Sequence, residues 1–228
     1  MLLLLLSLAI APGIAISLFI YSFRRLGKGS VRQLVISFIL GICATIPPFL
    51  IQRLAGDVRD DPYRHSVLAF AWYAFIIVAF TEEGSKYLVL RWYAYPLESF
   101  QEPFDGVIYS VMIGMGFATL ENIEYVWKFG VETGVARMFL SVPAHASFAV
   151  LMGYNVGLAK FRPQGKIWLM WKGLAIVVLL HGSFDFFLFI QQHHVVRRYV
   201  SDGILSFGAF TSFYIAVRQA WKAIRLHK

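Results

Sequence analysis

Apolar runs close to twenty residues long, each broken by few charges, occupy 2–23, 34–51, 67–90, 106–127, 138–158 and 167–190, and a shorter one starts at Ile204. About 20 apolar residues cross a bilayer as a helix, so each run predicts a membrane span. The last is uncharged only up to Arg218, and it reaches across if it continues to about Trp221 with Arg218 snorkelling to the headgroups. The first run has the length of a signal peptide. No basic residue precedes it, Pro12-Gly13 interrupts it and Arg24-Arg25 follows it, so it reads as a retained span. The pattern predicts an all-α, polytopic transmembrane helical bundle of about seven spans, forming one integral membrane domain over 1–228.

Composition agrees. The chain is 58% hydrophobic and 15% charged, whereas a soluble domain carries roughly 25% charged residues. A water-soluble globule, a disordered chain and a nucleic-acid tail are thereby excluded. The excess of 21 Lys and Arg over 13 Asp and Glu lies between the apolar runs, which points to anionic lipid headgroups. The single cysteine, Cys43, permits no internal disulfide. With seven spans, Arg24, Arg25, Lys28, Arg32, Arg91, Lys160, Arg162, Lys166, Arg218, Lys222, Arg225 and Lys228 share one side. Arg53, Arg59, Arg64, Lys128, Arg137, Arg197 and Arg198 share the other. The richer side is expected to be cytoplasmic, so the N-terminus is outside, the C-terminus is cytoplasmic and the polar loop 52–66 is extracytoplasmic.

Charges inside the spans need an account, because one at a helix centre costs roughly 2.5–3.5 kcal/mol on the insertion scale. The third run contains Glu82, Glu83 and Lys86. Lys86 is four residues from Glu82 and three from Glu83, so one carboxylate can pair with it along the helix. The two glutamates diverge by about 100° around the axis, leaving the other to line a cavity. The fourth run carries Glu121 with no cation in helical reach. It therefore needs a proton, a partner on another helix or a metal. The same helix shows a stripe of small residues, Gly106, Ser110, Gly114 and Ala118, that admits a close neighbour. The fifth run carries His145 and a matching stripe of Ala149, Gly153 and Gly157. The sixth places Asp185 one turn from His181, a pair that can fix the imidazole tautomer and favour its charged form.

Depth groups these residues. At about 1.5 Å per residue from the cytoplasmic helix ends, Glu121, His145 and His181 all lie about 20–22 Å in, beyond the midplane. Glu83 comes out at about 10 Å if its helix stops at Leu90, and about 18 Å if it runs on to Tyr95. Carboxylates and two imidazoles in a dry cavity suit hydrolysis. Glu83 can activate water, while His181 and His145 stabilise the oxyanion or protonate the leaving amine. Glu82 and Lys86 would set the charge and position of Glu83. A metal is the alternative: Glu83, Glu121, His145 and His181 could hold Zn²⁺ with an open position. A transporter is disfavoured, because no pair of broken helices occupies matching halves.

Taken in order, Glu82-Glu83-x-x-Lys86, Phe117-x-x-x-Glu121-Asn122, His145 followed by Gly153, and His181-x-x-x-Asp185 resemble the PrsW family of bacterial intramembrane proteases. Phe104-Asp105-Gly106 is similar as well, and the resemblance covers about residues 67–190, the expected catalytic core. It implies a peptidase of the bacterial cytoplasmic membrane, of glutamic type, within a wider group that includes the CAAX prenyl proteases and bacteriocin-immunity-like membrane proteins. In that group the second motif usually ends in histidine. Glu121 stands there in this chain, which leaves His145 to supply the oxyanion role. The resemblance further implies site-1 cleavage of a single-pass anti-sigma factor on its extracytoplasmic side, in a stress response that frees a sigma factor. A non-catalytic immunity or binding relative is the remaining alternative.

Overall fold

A computed structural model describes residues 2–22, 31–162 and 164–226. Among these the secondary structure is entirely helical. Arg24, Arg25, Lys28 and Lys228, four of the bases in the orientation argument, lie outside the described residues.

The first span is α1, Leu2–Ser22. The second run is two helices rather than one, α2 (Val31–Cys43) and α3 (Ile46–Ala55). Pro47 and Pro48 fall in the first turn of α3, where missing N–H groups cost nothing, but there they end the hydrogen-bond ladder of α2. The third span, Val67–Ala94, is continuous but uneven. It comprises α4 (Val67–Trp72), a π-helical stretch (Tyr73–Phe80), α5 (Thr81–Val89) and a second π-helical stretch (Leu90–Ala94). Running past Leu90, it takes the longer of the two lengths considered above, which brings Glu83 toward the depth of the other polar groups.

The centre of the bundle is α6, Pro103–Phe129, buried along its whole length from Phe104 to Thr119. Pro103 opens it, and a capping box between Glu102 and Asp105 fixes its start. Gly130, at φ 82°, ends it and leads into the short α7 (Val131–Phe139), followed by α8 (Ser141–Phe161). The small-residue stripes of α6 and α8 face each other. A Cβ on Gly106 would lie 2.4 Å from the Gly153 carbonyl oxygen, and one on Gly157 would lie 2.0 Å from that of Pro103. Backbones this close leave no room for alanine. On another face of α6, Gly116 meets the carbonyl of Phe38 in α2.

The bundle is completed by α9 (Lys166–Phe189), a one-turn α10 (Val196–Tyr199) and α11 (Asp202–Arg225). Six helical spans among the described residues, with α2 and α3 taken together and α7 and α8 taken together, are long and apolar enough to cross a membrane. The seventh expected span is a helix of 24 residues, α11. It is less apolar than those six: several Ser, Thr and Gly lie inside its longest uncharged stretch, and Arg218 and Gln219 flank it. Large apolar side chains such as Leu68, Trp72, Trp168 and Phe207 are exposed on the outer surface, as a lipid solvent requires.

Candidate active site

Glu82 and Glu83 open α5 directly after the π-helical stretch, whose wide turns end with the Thr81 hydroxyl donating to the Ile77 carbonyl at 2.6 Å. π-helical turns are rare and concentrate at functional positions. Both glutamates are buried, at 5% and 1% exposure. As the 100° divergence requires, they face different neighbours. Glu83 turns to α9, where its Oε1 lies 2.8 Å from His181 Nδ1. The same oxygen accepts from Lys86 Nζ at 2.6 Å. Glu82 turns toward α3, where Gln52 Nε2 donates to its Oε1 at 3.2 Å.

The remaining groups join this pair into one network. His181 Nε2 lies 3.2 Å from Asp185, so both ring nitrogens face carboxylates, a pattern that a doubly protonated imidazole satisfies. The ring stacks on Phe148 with centroids 5.0 Å apart and meets the His145 ring edge-on at 5.4 Å. Lys86 Nζ lies 3.4 Å from His145 Nδ1 and 4.3 Å from the centre of the Phe117 ring. On its other side His145 Nε2 lies 2.9 Å from Glu121 Oε2. All seven residues expected from the sequence (Glu82, Glu83, Lys86, Glu121, His145, His181 and Asp185) are therefore linked through α5, α6, α8 and α9.

Glu121 finds its partner on another helix, as one of the three possibilities required. Arg137, on the polar face of α7, approaches Glu121 Oε1 at 3.0 Å, and its Nε donates to Asn122 Oδ1 at 2.6 Å. The guanidinium lies over the Tyr125 ring at 4.1 Å. Arg137 and Gln52 were not anticipated as site residues. Each stands at the margin of an apolar run, where a polar residue reads as loop; the mixed charge of 131–139 was the only available sign of a short helix there.

The donor set of the cluster fits a metal ion, but not with the ligands first expected. Ligand atoms of Glu82, Glu121 and His145 all lie within 4.8 Å of one another. Among the described residues Glu82 Oε2 is buried without a hydrogen bond, its nearest cation being Lys86 at 3.9 Å. A buried carboxylate oxygen left this way is costly unless a cation or proton meets it. The carboxylates of Glu82, Glu83, Glu121 and Asp185 also outnumber the fixed cations Lys86 and Arg137, even with His181 charged. Glu83 and His181, named for the ligand set from the sequence, hold each other and are further engaged by Lys86 and Asp185. In the group whose ligand atoms converge, Glu82 stands with Glu121 and His145 instead.

Buried acids, imidazoles and a lysine that converge inside a multi-pass helical bundle are the groups a membrane-embedded hydrolase would use. A family model described as PrsW family intramembrane metalloprotease matches residues 29–217, well beyond the 67–190 expected from the motifs. Three relatives named Protease PrsW agree with it. The chain is 33% identical to that of Geobacillus kaustophilus (strain HTA426) over 190 residues, 82% of this chain and 81% of the relative. It is 36% identical to that of Bacillus subtilis (strain 168) over 184 residues, 80% and 81% of the two chains. It is 31% identical to that of Clostridioides difficile (strain 630) over 196 residues, 83% and 81%. No solved structure matches the chain. The chain belongs to the PrsW family: it is a peptidase and a multi-pass membrane protein.

Proposed function

We propose that this peptidase cleaves a single-pass membrane protein, an anti-sigma factor, on the extracytoplasmic side of the bacterial cytoplasmic membrane, with Glu82, Glu83, Lys86, Glu121, His145, His181 and Asp185 as its machinery. The observation that carries the assignment is the convergence of ionisable groups from α5, α6, α8 and α9 in one buried network. An outward N-terminus and a seventh span in α11 belong to the same reading. They are supported by the distribution of bases between the helices and by the length of α11, about 36 Å at 1.5 Å per residue.

Both partners of Glu83 fall on Oε1, so its second oxygen is available to take a proton from an attacking water. Lys86 holds the carboxylate in place. His181, supported by Asp185, can pass a proton to the departing amine nitrogen. In the metal-dependent form of the reading, Glu82, Glu121 and His145 would hold Zn²⁺, and the chemistry it would supply there is Lewis-acid polarisation of the scissile carbonyl. Arg137 then orients Glu121 from behind, and Gln52 orients Glu82.

The test is cleavage of a candidate single-pass substrate by purified protein in a bilayer. Glu83→Gln and His181→Ala should each abolish it while the folded protein is retained. Cleavage that survives both changes removes the assignment.

A further inference from the structure

Away from the active site, the segments joining α3 to α4 and α9 to α11 are latched together. The buried His193 uses both ring nitrogens: Nδ1 accepts from the Val196 N–H at 3.3 Å, and Nε2 lies 3.0 Å from the carbonyl oxygen of His65. These two bonds require a neutral ring with its proton on Nε2. His194 stacks on it at 5.1 Å, and Tyr63 stacks on His194 at 4.9 Å. His194 Nδ1 lies 3.1 Å from the Pro62 carbonyl oxygen, so it is the donor there, and Nε2 is left as the ring's second polar atom.

This frame surrounds an open cavity of about 420 Å³, lined by Pro62, Tyr63, Gln192, His194, Arg197 and Arg198. No carboxylate lines it. Arg197 forms an exposed ion pair with Asp202 at 3.5 Å, and Arg198 has no acidic partner among the described residues. Two guanidinium forks, a phenol and an amide line one volume and bring charged and neutral donors to it, the pattern that suits phosphate oxygens. The cavity lies where one span begins at Val67 and another ends at Gln192. Exposed Tyr63 and Tyr199 mark a membrane interface there, and exposed Leu68, Ile204 and Phe207 lie on the adjoining turns of α4 and α11.

The geometry points to this cavity as a binding site for a phosphate group, of the kind carried by an anionic phospholipid headgroup or by free phosphate. The apolar turns beside it suit acyl chains, so the headgroup is the favoured source. Occupancy would tie the span that carries Glu82 and Glu83 to the span that carries His181.

The experiment titrates the purified protein, in uncharged detergent, with short-chain phosphatidylglycerol and separately with inorganic phosphate. Arg197→Gln with Arg198→Gln should weaken lipid binding at least about tenfold, since charge-assisted phosphate contacts are the strong ones. Arg218→Gln with Lys222→Gln removes the same charge from the far end of α11 and should change binding less than about twofold. Arg198→Lys, which keeps the charge but loses the fork, should fall between. Phosphate alone binding with the same dependence on the two arginines assigns the site to the free anion, and lipid binding without phosphate binding assigns it to the headgroup. Equal losses in the two double variants, or no binding of either probe, overturn the site. A photoactivatable phosphatidylglycerol on the unaltered protein gives an independent reading: crosslinks are expected on the segments bearing Tyr63 and Gln192, and crosslinks confined elsewhere would overturn the proposal.

Discussion

Two polar clusters sit along α6, and they are built differently. Near its N-terminal end, Tyr109 is joined to Ser99 at 2.6 Å and to Gln33 at 3.3 Å, and Ser99 also donates to Gln33. Close by, Lys160 donates to the carbonyls of Tyr95 at 2.6 Å and Leu97 at 3.2 Å and lies over the Phe100 ring. Here neutral groups satisfy one another, and the Lys160 ammonium is matched by backbone oxygens. Toward the C-terminal end of α6, ionised groups share partners instead. One oxygen of Glu83 serves both Lys86 and His181, His145 lies between Lys86 and Glu121, and an oxygen of Glu82 is left over. Satisfied polar groups hold helices together; shared and incompletely matched charges are what a reaction or a bound cation can use.

Substitutions can break this contrast. The largest effect is expected for Glu83→Gln, which should lower cleavage by about 10³-fold, within the usual range for loss of a general base, with the helical spectrum unchanged. Tyr109→Phe, at the other cluster, should leave the cleavage rate within about twofold because it removes one of several hydrogen bonds far from the reacting groups. Metal content sharpens the comparison next. Elemental analysis should find zinc in the unaltered protein and none after Glu82→Gln or His145→Ala, and full activity after exhaustive chelation would eliminate the metal-dependent form.

Arg137→Gln leaves the proposed ligands in place and removes only the group behind Glu121. Zinc affinity should fall about 10–100-fold, with Arg137→Lys recovering part of it, as for other groups that orient a ligand. Ser99→Ala, in contrast, should cost about 1 kcal/mol in unfolding measurements with no change in zinc content or rate. The smallest effect concerns the loop after α3. Asp57 is partly buried, which by itself raises its pKa, but hydrogen bonds and charge from Arg59 outweigh burial and hold it below 3.8. A lowered folded pKa means that the stabilisation is present above the unfolded value and fades as pH falls through the folded one. Melting curves of the unaltered protein and Asp57→Asn should therefore differ at pH 6 and converge toward pH 2.

Much of this was legible in the chain. Six of the seven expected spans correspond to helices long and apolar enough to cross, because a run of apolar residues specifies its solvent wherever it packs. The facing of the α6 and α8 stripes was legible as a tendency, since glycine and alanine at every fourth position mark a close-packed surface. The break between α2 and α3 was written in Pro47-Pro48 but hidden inside one apolar run. Arg137 and Gln52 were illegible as site residues, since each is local noise in the hydrophobic pattern and gains its meaning from a partner 15 or 30 residues away.

The order of residues on its own determined that the protein lives in a membrane, which charges would be buried there and which family it belongs to. The first two follow from local composition and spacing; the family follows from the likeness of the motifs to those of its members. Only the tertiary structure decided which glutamate is held by Lys86, that Glu82 rather than Glu83 joins Glu121 and His145, and that Arg137 stands behind Glu121. Adjacent residues on a helix point about 100° apart, and what each then meets depends on how separate helices are rotated and stacked. That is a matter of packing between distant segments, which no single segment records.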